Sequence, residues 1–119
     1  FTESAEELRE VLDLGCYVSF SGYLKKKKKA GALLEALAAG AVPLDRVMVE
    51  TDAPYMGFKG CRKGSILHDT KREYPNPPES IPQVLEALAA AIGEDPAAVA
   101  AATTRNAEAF FGVRVQPQP

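Results

Sequence analysis

The chain has 119 residues, enough for one ordinary domain and too few for two. Hydrophobic residues at 46% and charged residues at 25% are the proportions of a folded globular chain rather than a disordered one, and no apolar run approaches the ~20 residues that span a bilayer. A formal net charge of −2 gives no argument, as a bulk quantity, for a polyanionic partner.

Residues 3–13 place Ala5, Leu8, Val11 and Leu12 on one stripe at helical spacing, and Gly15 ends that helix. Cys16-Tyr17-Val18-Ser19-Phe20 is short and rich in β-formers, reads as a buried strand, and closes at Ser21-Gly22. A second helix is predicted over 24–39, with Leu33, Leu34 and Leu37 on one face and Gly40 and Pro43 as terminators. Arg46 to Glu50 is the second predicted strand. From Thr51 to Pro78 no periodicity is sustained, and a loop of that length is usually functional or disordered. Helix 79–92 follows, apolar at Ile81, Val84, Leu85, Leu88 and Ile92. Asp95-Pro96 opens a short alanine-rich helix, residues 104–111 form a final helical segment, and 114–119 are expected to fray. Strands alternating with helices argue for parallel βαβ units in an α/β fold. Two strands alone leave both sheet edges unpaired, so the pattern reads as a piece of a larger sheet.

The N-terminus is acidic and lacks the basic start and apolar core of a signal peptide. Cys16 and Cys61 are too few for a disulfide scaffold, which favours a reducing compartment; a cytoplasmic location is expected, with a nuclear or organellar one left open. The chain begins with Phe1, so it is expected to be processed, trimmed or part of something longer.

Charge is partitioned. Ten of the 14 basic residues lie in the two segments that follow the strands: Lys25, Lys26, Lys27, Lys28 and Lys29, then Lys59, Arg62, Lys63, Lys71 and Arg72. In parallel α/β folds those segments gather at the end where ligands bind, so the arrangement suits an anion, with phosphate foremost. The competing reading is a solvated helical face, although five lysines opening a helix oppose its dipole. Cys61 and His68 are poorly spaced for a metal pair. Tyr55 is equally suited to stacking on a base or covering the core.

The second strand runs into Val49-Glu50-Thr51-Asp52-Ala53-Pro54-Tyr55, which resembles the strand-end motif of the TatD family of metal-dependent deoxyribonucleases. Gly15 to Gly22 resembles the family's penultimate barrel strand and Pro43-Leu44-Asp45-Arg46 the lead-in to the last one. Asn76 and Pro78 fit an Asn-x-Pro element, with Pro77 where the family usually has Glu. Thr103-Thr104-Arg105-Asn106-Ala107 to Gly112 resembles the C-terminal helix, and Phe1 to Leu8 the segment just past a family histidine.

The resemblance implies an α/β fold that is the C-terminal portion of a TIM-type (β/α)8 barrel, with residues 1–119 carrying its last two strands and flanking helices as part of one hydrolase domain. It implies hydrolysis of DNA phosphodiesters with one or two divalent ions, Mg²⁺, Mn²⁺ or Zn²⁺, and Asp52 as metal ligand and proton acceptor. The family's His-x-His pair, central Glu and two further histidines have no counterpart here, so the metal is not bindable by this chain alone. The missing N-terminal part of the barrel, or a complementing chain, is the expected partner beside DNA; no membrane is. Glu50, on the same strand face as Met48 and Asp52, would sit one layer deeper, either orienting ligands or as a satisfied structural charge. Lys25, Lys26, Lys27, Lys59, Arg62, Lys63 and Arg72 would hold backbone phosphates, with Ser19 and Asn76 as weaker polar contacts. Two other functions stay open: an inactive barrel segment that binds anions or a partner chain, and a related hydrolase acting on another ester.

Overall fold

A computed structural model describes residues 1–69 and 71–116; of the tail expected to fray, 117–119 lie outside the described residues. Helix α1 (Ala5–Asp13) starts where Ser4 and Glu7 satisfy each other: the Ser4 hydroxyl accepts from the Glu7 amide, and the Glu7 carboxylate accepts from the Ser4 amide at 3.0 Å. The predicted stripe is the face it buries, with Leu8 inaccessible and Val11 and Leu12 packed beside it.

Strands β1 (Val18–Phe20) and β2 (Val47–Val49) pair in parallel, Val18 beside Val47, Ser19 beside Met48 and Phe20 beside Val49. Both are shorter than predicted. The Cys16 amide is tied back to the Val11 carbonyl at the end of α1, and Arg46 belongs to a 3-10 turn, Leu44–Arg46. The crossover is also broken. A 3-10 turn, Gly22–Lys25, precedes helix α2 (Lys27–Ala38), and Lys26 between them has φ −91° and ψ 66°, outside the helical region. The five lysines therefore do not open one helix. Those that do, Lys27 to Lys29, face the dipole with neither a side-chain cap nor an acidic residue in the first turn.

Helix α3 (Ile81–Ile92) buries Val84 and Leu88, as its periodicity predicts. The two predicted C-terminal helices are one, α4 (Pro96–Phe111). No Gly or Pro interrupts that span, and the Thr103 hydroxyl donates to the Val99 carbonyl at 2.9 Å, inside its own helix.

Alternation along the two strands gives the sheet two different faces. Val18, Phe20 and Val47 turn inward onto Leu8, Leu24, Leu33, Leu37, Leu88 and Val99, which form the main core. Ser19, Met48 and Glu50 turn to the other face, which opens into a cleft of about 420 Å³ walled by α4 and its two terminal phenylalanines, Phe110 and Phe111. The molecule is thus a mixed α/β unit around a small parallel sheet. No helix of the described residues is long and apolar enough to cross a membrane.

Candidate functional site

The segment after β2 is ordered by its own bonds. Asn76, 2% exposed, donates from Nδ2 to the Thr51 and Tyr55 carbonyls at 2.8 Å each, and its backbone amide donates to the Pro54 carbonyl at 2.9 Å. The Tyr55 amide closes a tight turn onto the Asp52 carbonyl at 2.7 Å, and the Thr51 hydroxyl accepts from the Ala53 amide. Further along, the Cys61 thiol donates to the Glu73 carbonyl and the Arg62 guanidinium to the Tyr74 carbonyl. Phe58, Cys61 and Val84 make a second small core beneath the loop. Gly57 and Gly22 permit this closeness: a Cβ on the first would overlap the Glu73 carbonyl oxygen, and on the second the Phe58 ring.

Asp52 stands on that turn, exposed, with φ 56°. Left-handed φ is uncommon outside glycine and tolerated best by Asp and Asn. Since β2 ends at Val49, strand alternation does not set where Asp52 points, contrary to the sequence expectation. Glu50 does follow the alternation, beside Ser19 and Met48. It is half-buried rather than enclosed, and among the described residues its carboxylate has no hydrogen-bond or ion-pair partner.

Among the described residues, no three His, Cys, Asp or Glu side chains converge as a metal-binding group. Cys61 is fully buried and already donates to Glu73, whereas His68 is exposed, so these two make no ligand pair. One strand-end carboxylate is not a ligand set, and these residues by themselves do not fit a metal ion.

The basic residues divide into two groups. Lys25, Lys27, Lys59 and Lys63 are exposed, and Lys26 is half-buried. Arg62 is 7% exposed, with Nε buried and unpartnered, and Asn76 is enclosed; neither offers a surface contact to a phosphate, because both are occupied in tying the loop together. Arg72 pairs with Asp69 at 3.4 Å. Tyr55 is 72% exposed, which removes the reading that it covers the core. Ser19 lines the cleft on the open sheet face.

Sequence reasoning missed Asn106. From the middle of α4 its Nδ2 donates to the carbonyls of Val47 at 2.7 Å and Leu44 at 2.9 Å, holding the start of β2. An asparagine inside a helix, where its propensity is poor, is the signal that could have found it.

A parallel strand pair flanked by helices defines an α/β protein, and the carboxylate on the turn beyond its second strand lies at the end where such sheets bind ligands. The chain belongs to the family described as TatD related DNase, whose profile matches residues 1–112. It is 33% identical over 116 residues, 98% of this chain and 41% of the relative, to the 3'-5' ssDNA/RNA exonuclease TatD of Citrobacter rodentium. The protein of that name from Klebsiella pneumoniae is 31% identical over 115 residues, and that from Escherichia coli K12 is 29% identical over 113 residues; they are covered to 41% and 40% of their lengths, against 97% and 95% of this chain. The chain spans about 40% of the length of the curated relatives it matches.

Proposed function

We propose that this chain is the C-terminal portion of a (β/α)8-barrel nuclease that hydrolyses phosphodiester bonds of DNA, and that it supplies one metal-ligating carboxylate, Asp52, and part of a basic rim. The observation that carries this reading is Asp52 itself: an exposed carboxylate in a left-handed backbone conformation, on a turn fastened from both sides by Asn76, within a family of related DNases. The open sheet face supports the barrel reading. Ser19, Met48 and Glu50 line a cleft there, on the face that alternation turns away from the main core, and the further strands would come from outside this chain. The divalent ions expected of the family would take Asp52 as one ligand among several, the rest lying outside these 119 residues. Among the basic residues expected to hold backbone phosphates, Lys25, Lys27, Lys59 and Lys63 are exposed, which supports that role for them.

The test is hydrolysis of labelled single-stranded DNA with added Mg²⁺ or Mn²⁺, by the protein isolated from its source and by the 119-residue chain, each beside Asp52→Ala. The isolated protein is expected to cleave and to lose ~10²-fold or more in the variant, the scale on which removal of a group acting on the reacting centre is felt; the short chain is expected to be inactive. Full activity in Asp52→Ala overturns the assignment of Asp52. Cleavage by the short chain that the variant abolishes overturns the need for outside ligands.

A further inference from the structure

Two asparagines hold the backbone at either end of β2 by the same chemistry. Asn106 donates from Nδ2 to the Leu44 and Val47 carbonyls at 2.9 and 2.7 Å, and Asn76 donates from Nδ2 to the Thr51 and Tyr55 carbonyls at 2.8 Å each. What they hold differs. Val47 has the extended backbone of an ordinary strand residue, with φ −105° and ψ 138°. Asp52 lies between the two carbonyls that Asn76 takes and has φ 56°. That conformation is unfavourable for residues with a Cβ, least so for Asp and Asn, and it persists where the surroundings impose it. The sheet does not impose it: β2 ends at Val49, and the Glu50 amide reaches the Phe20 carbonyl at 2.9 Å one residue further on. Beyond that, the carbonyls of Thr51, Pro54 and Tyr55 all accept from Asn76, two from its side chain and one from its backbone amide.

Asn76 is 2% exposed, so it does not itself meet a ligand. Its Oδ1 is buried without a hydrogen-bond partner among the described residues, an arrangement unfavourable to stability. The arm that carries it is anchored in turn, since the Glu73 carbonyl accepts from the Cys61 thiol at 3.3 Å and the Tyr74 carbonyl from Arg62 at 3.1 Å.

We propose that Asn76 is a positioning residue for the reaction at the strand end: it keeps the turn in its left-handed form and so fixes where the Asp52 carboxylate stands. The inference rests on the nuclease reading and adds to it a second residue that governs turnover without touching substrate. A displaced carboxylate loses its alignment with the reacting atoms, and a misplacement of about 1 Å can cost ~10²-fold. Asn106 provides the contrast. Its loss strips two carbonyls of their donor as well, but at the opposite end of β2 from Asp52.

Steady-state hydrolysis of labelled single-stranded DNA with added Mg²⁺ is measured on the protein isolated from its source and on variants expressed there, with circular dichroism reporting the fold. Asn76→Ala is expected to lower kcat about tenfold or more and to leave KM within about twofold, whereas Asn106→Leu keeps kcat within about twofold. Asn76→Ser, which retains a hydroxyl donor for one of the two carbonyls, should fall between wild type and Asn76→Ala, and it replaces the Ala variant in every comparison if that variant does not fold. In the Asp52→Ala background the Asn76 substitution should cost no further turnover, because the group that it positions is gone. By NMR, the amide-to-α-proton NOE within Asp52, strong in a left-handed residue, should weaken in Asn76→Ala and persist in Asn106→Leu. An unchanged NOE overturns the positioning role. So does an equal loss of kcat in Asn106→Leu, or a loss that multiplies with that of Asp52→Ala, since each marks a general structural effect. A wild-type kcat in folded Asn76→Ala, with Asp52→Ala impaired, overturns the inference and leaves the nuclease reading standing. Wild-type activity in Asp52→Ala overturns the assignment of Asp52 and this inference with it.

Discussion

Asn76 reaches back across 25 residues to the segment just past β2, its Nδ2 lying 2.8 Å from the Thr51 carbonyl oxygen. The same amide group holds Tyr55, so one side chain brackets the turn that presents Asp52. Replacing Asn76 with Ala leaves both carbonyls without their donor inside a packed loop. The expected cost is about 2 kcal/mol, read as a lower urea midpoint with an unchanged slope. Asn76→Asp should be worse at neutral pH, because a carboxylate oxygen would face two carbonyl oxygens. A midpoint equal to wild type in Asn76→Ala would show that the bracket is dispensable.

Asn106 does the same for the other end of β2. Asn106→Leu keeps the bulk on α4 but strips the donor from Val47 and Leu44. Unpaired carbonyls there should lower stability by about 1–3 kcal/mol, a fall in Tm of roughly 4 °C or more for a chain of this size. A Leu variant that melts with wild type would mean that water replaces both bonds at no loss.

Much of this was legible because it depends on local periodicity. The faces of α1 and α3 follow their apolar spacing, and Val47 and Glu50 take opposite faces because strand alternation extends one residue past β2. The motif Glu50-Thr51-Asp52-Ala53-Pro54 identified the strand end through its family. Long-range fastening was not legible. Nothing near Arg62 in sequence says that its guanidinium turns onto Tyr74 instead of outward, and nothing near Asn76 says that it is buried. A basic residue in a loop looks the same in sequence whether it is exposed or enclosed. The Ser4–Glu7 capping box, by contrast, is local and is written in the sequence as Ser-x-x-Glu.

Gly57 and Gly22 mark where the loop after β2 lies against backbone and ring. Gly57→Ala would drive a methyl group into the Glu73 carbonyl oxygen, which cannot rotate away. The expected loss is about 3 kcal/mol or more, with the loop displaced. Gly22→Ala meets chiefly the Phe58 ring, and Phe58→Leu in the same chain should restore part of the loss. Additive effects of the Gly22 and Phe58 substitutions, measured by denaturant unfolding, would show that the two do not touch in solution.

The capping box predicts a dependence on acid. The Ser4 backbone amide, and secondarily its hydroxyl, hold the Glu7 carboxyl below its ordinary value of 4.5. A depressed carboxyl stabilises the fold above the unfolded-state value, and that contribution fades as pH falls from about 4.5 through the lower folded-state value. Glu7→Gln should therefore remove this part of the acid sensitivity of α1, and Ser4→Ala should move the Glu7 titration, followed by NMR, upward toward 4.5. An unshifted titration in Ser4→Ala would show that the hydroxyl contributes nothing.

Arg62 gives the sharpest separation of structure from function. The residue is 7% exposed, and its guanidinium donates to Tyr74 and has no carboxylate partner among the described residues. Burying a charge without a counter-ion is expensive, and an apolar side chain of similar length often does as well or better. Arg62→Met should therefore change folding stability by no more than about 1 kcal/mol in either direction, since relief of desolvation offsets the lost bond to Tyr74. Arg62→Ala removes the packing stem too and should cost more, which makes the pair diagnostic. If the residue acts only inside the loop, Arg62→Met binds single-stranded DNA as wild type does, with the same salt slope. If its binding falls and the slope flattens while the melt is unchanged, the guanidinium turns outward to a phosphate in the complex, and the sequence expectation for Arg62 is restored.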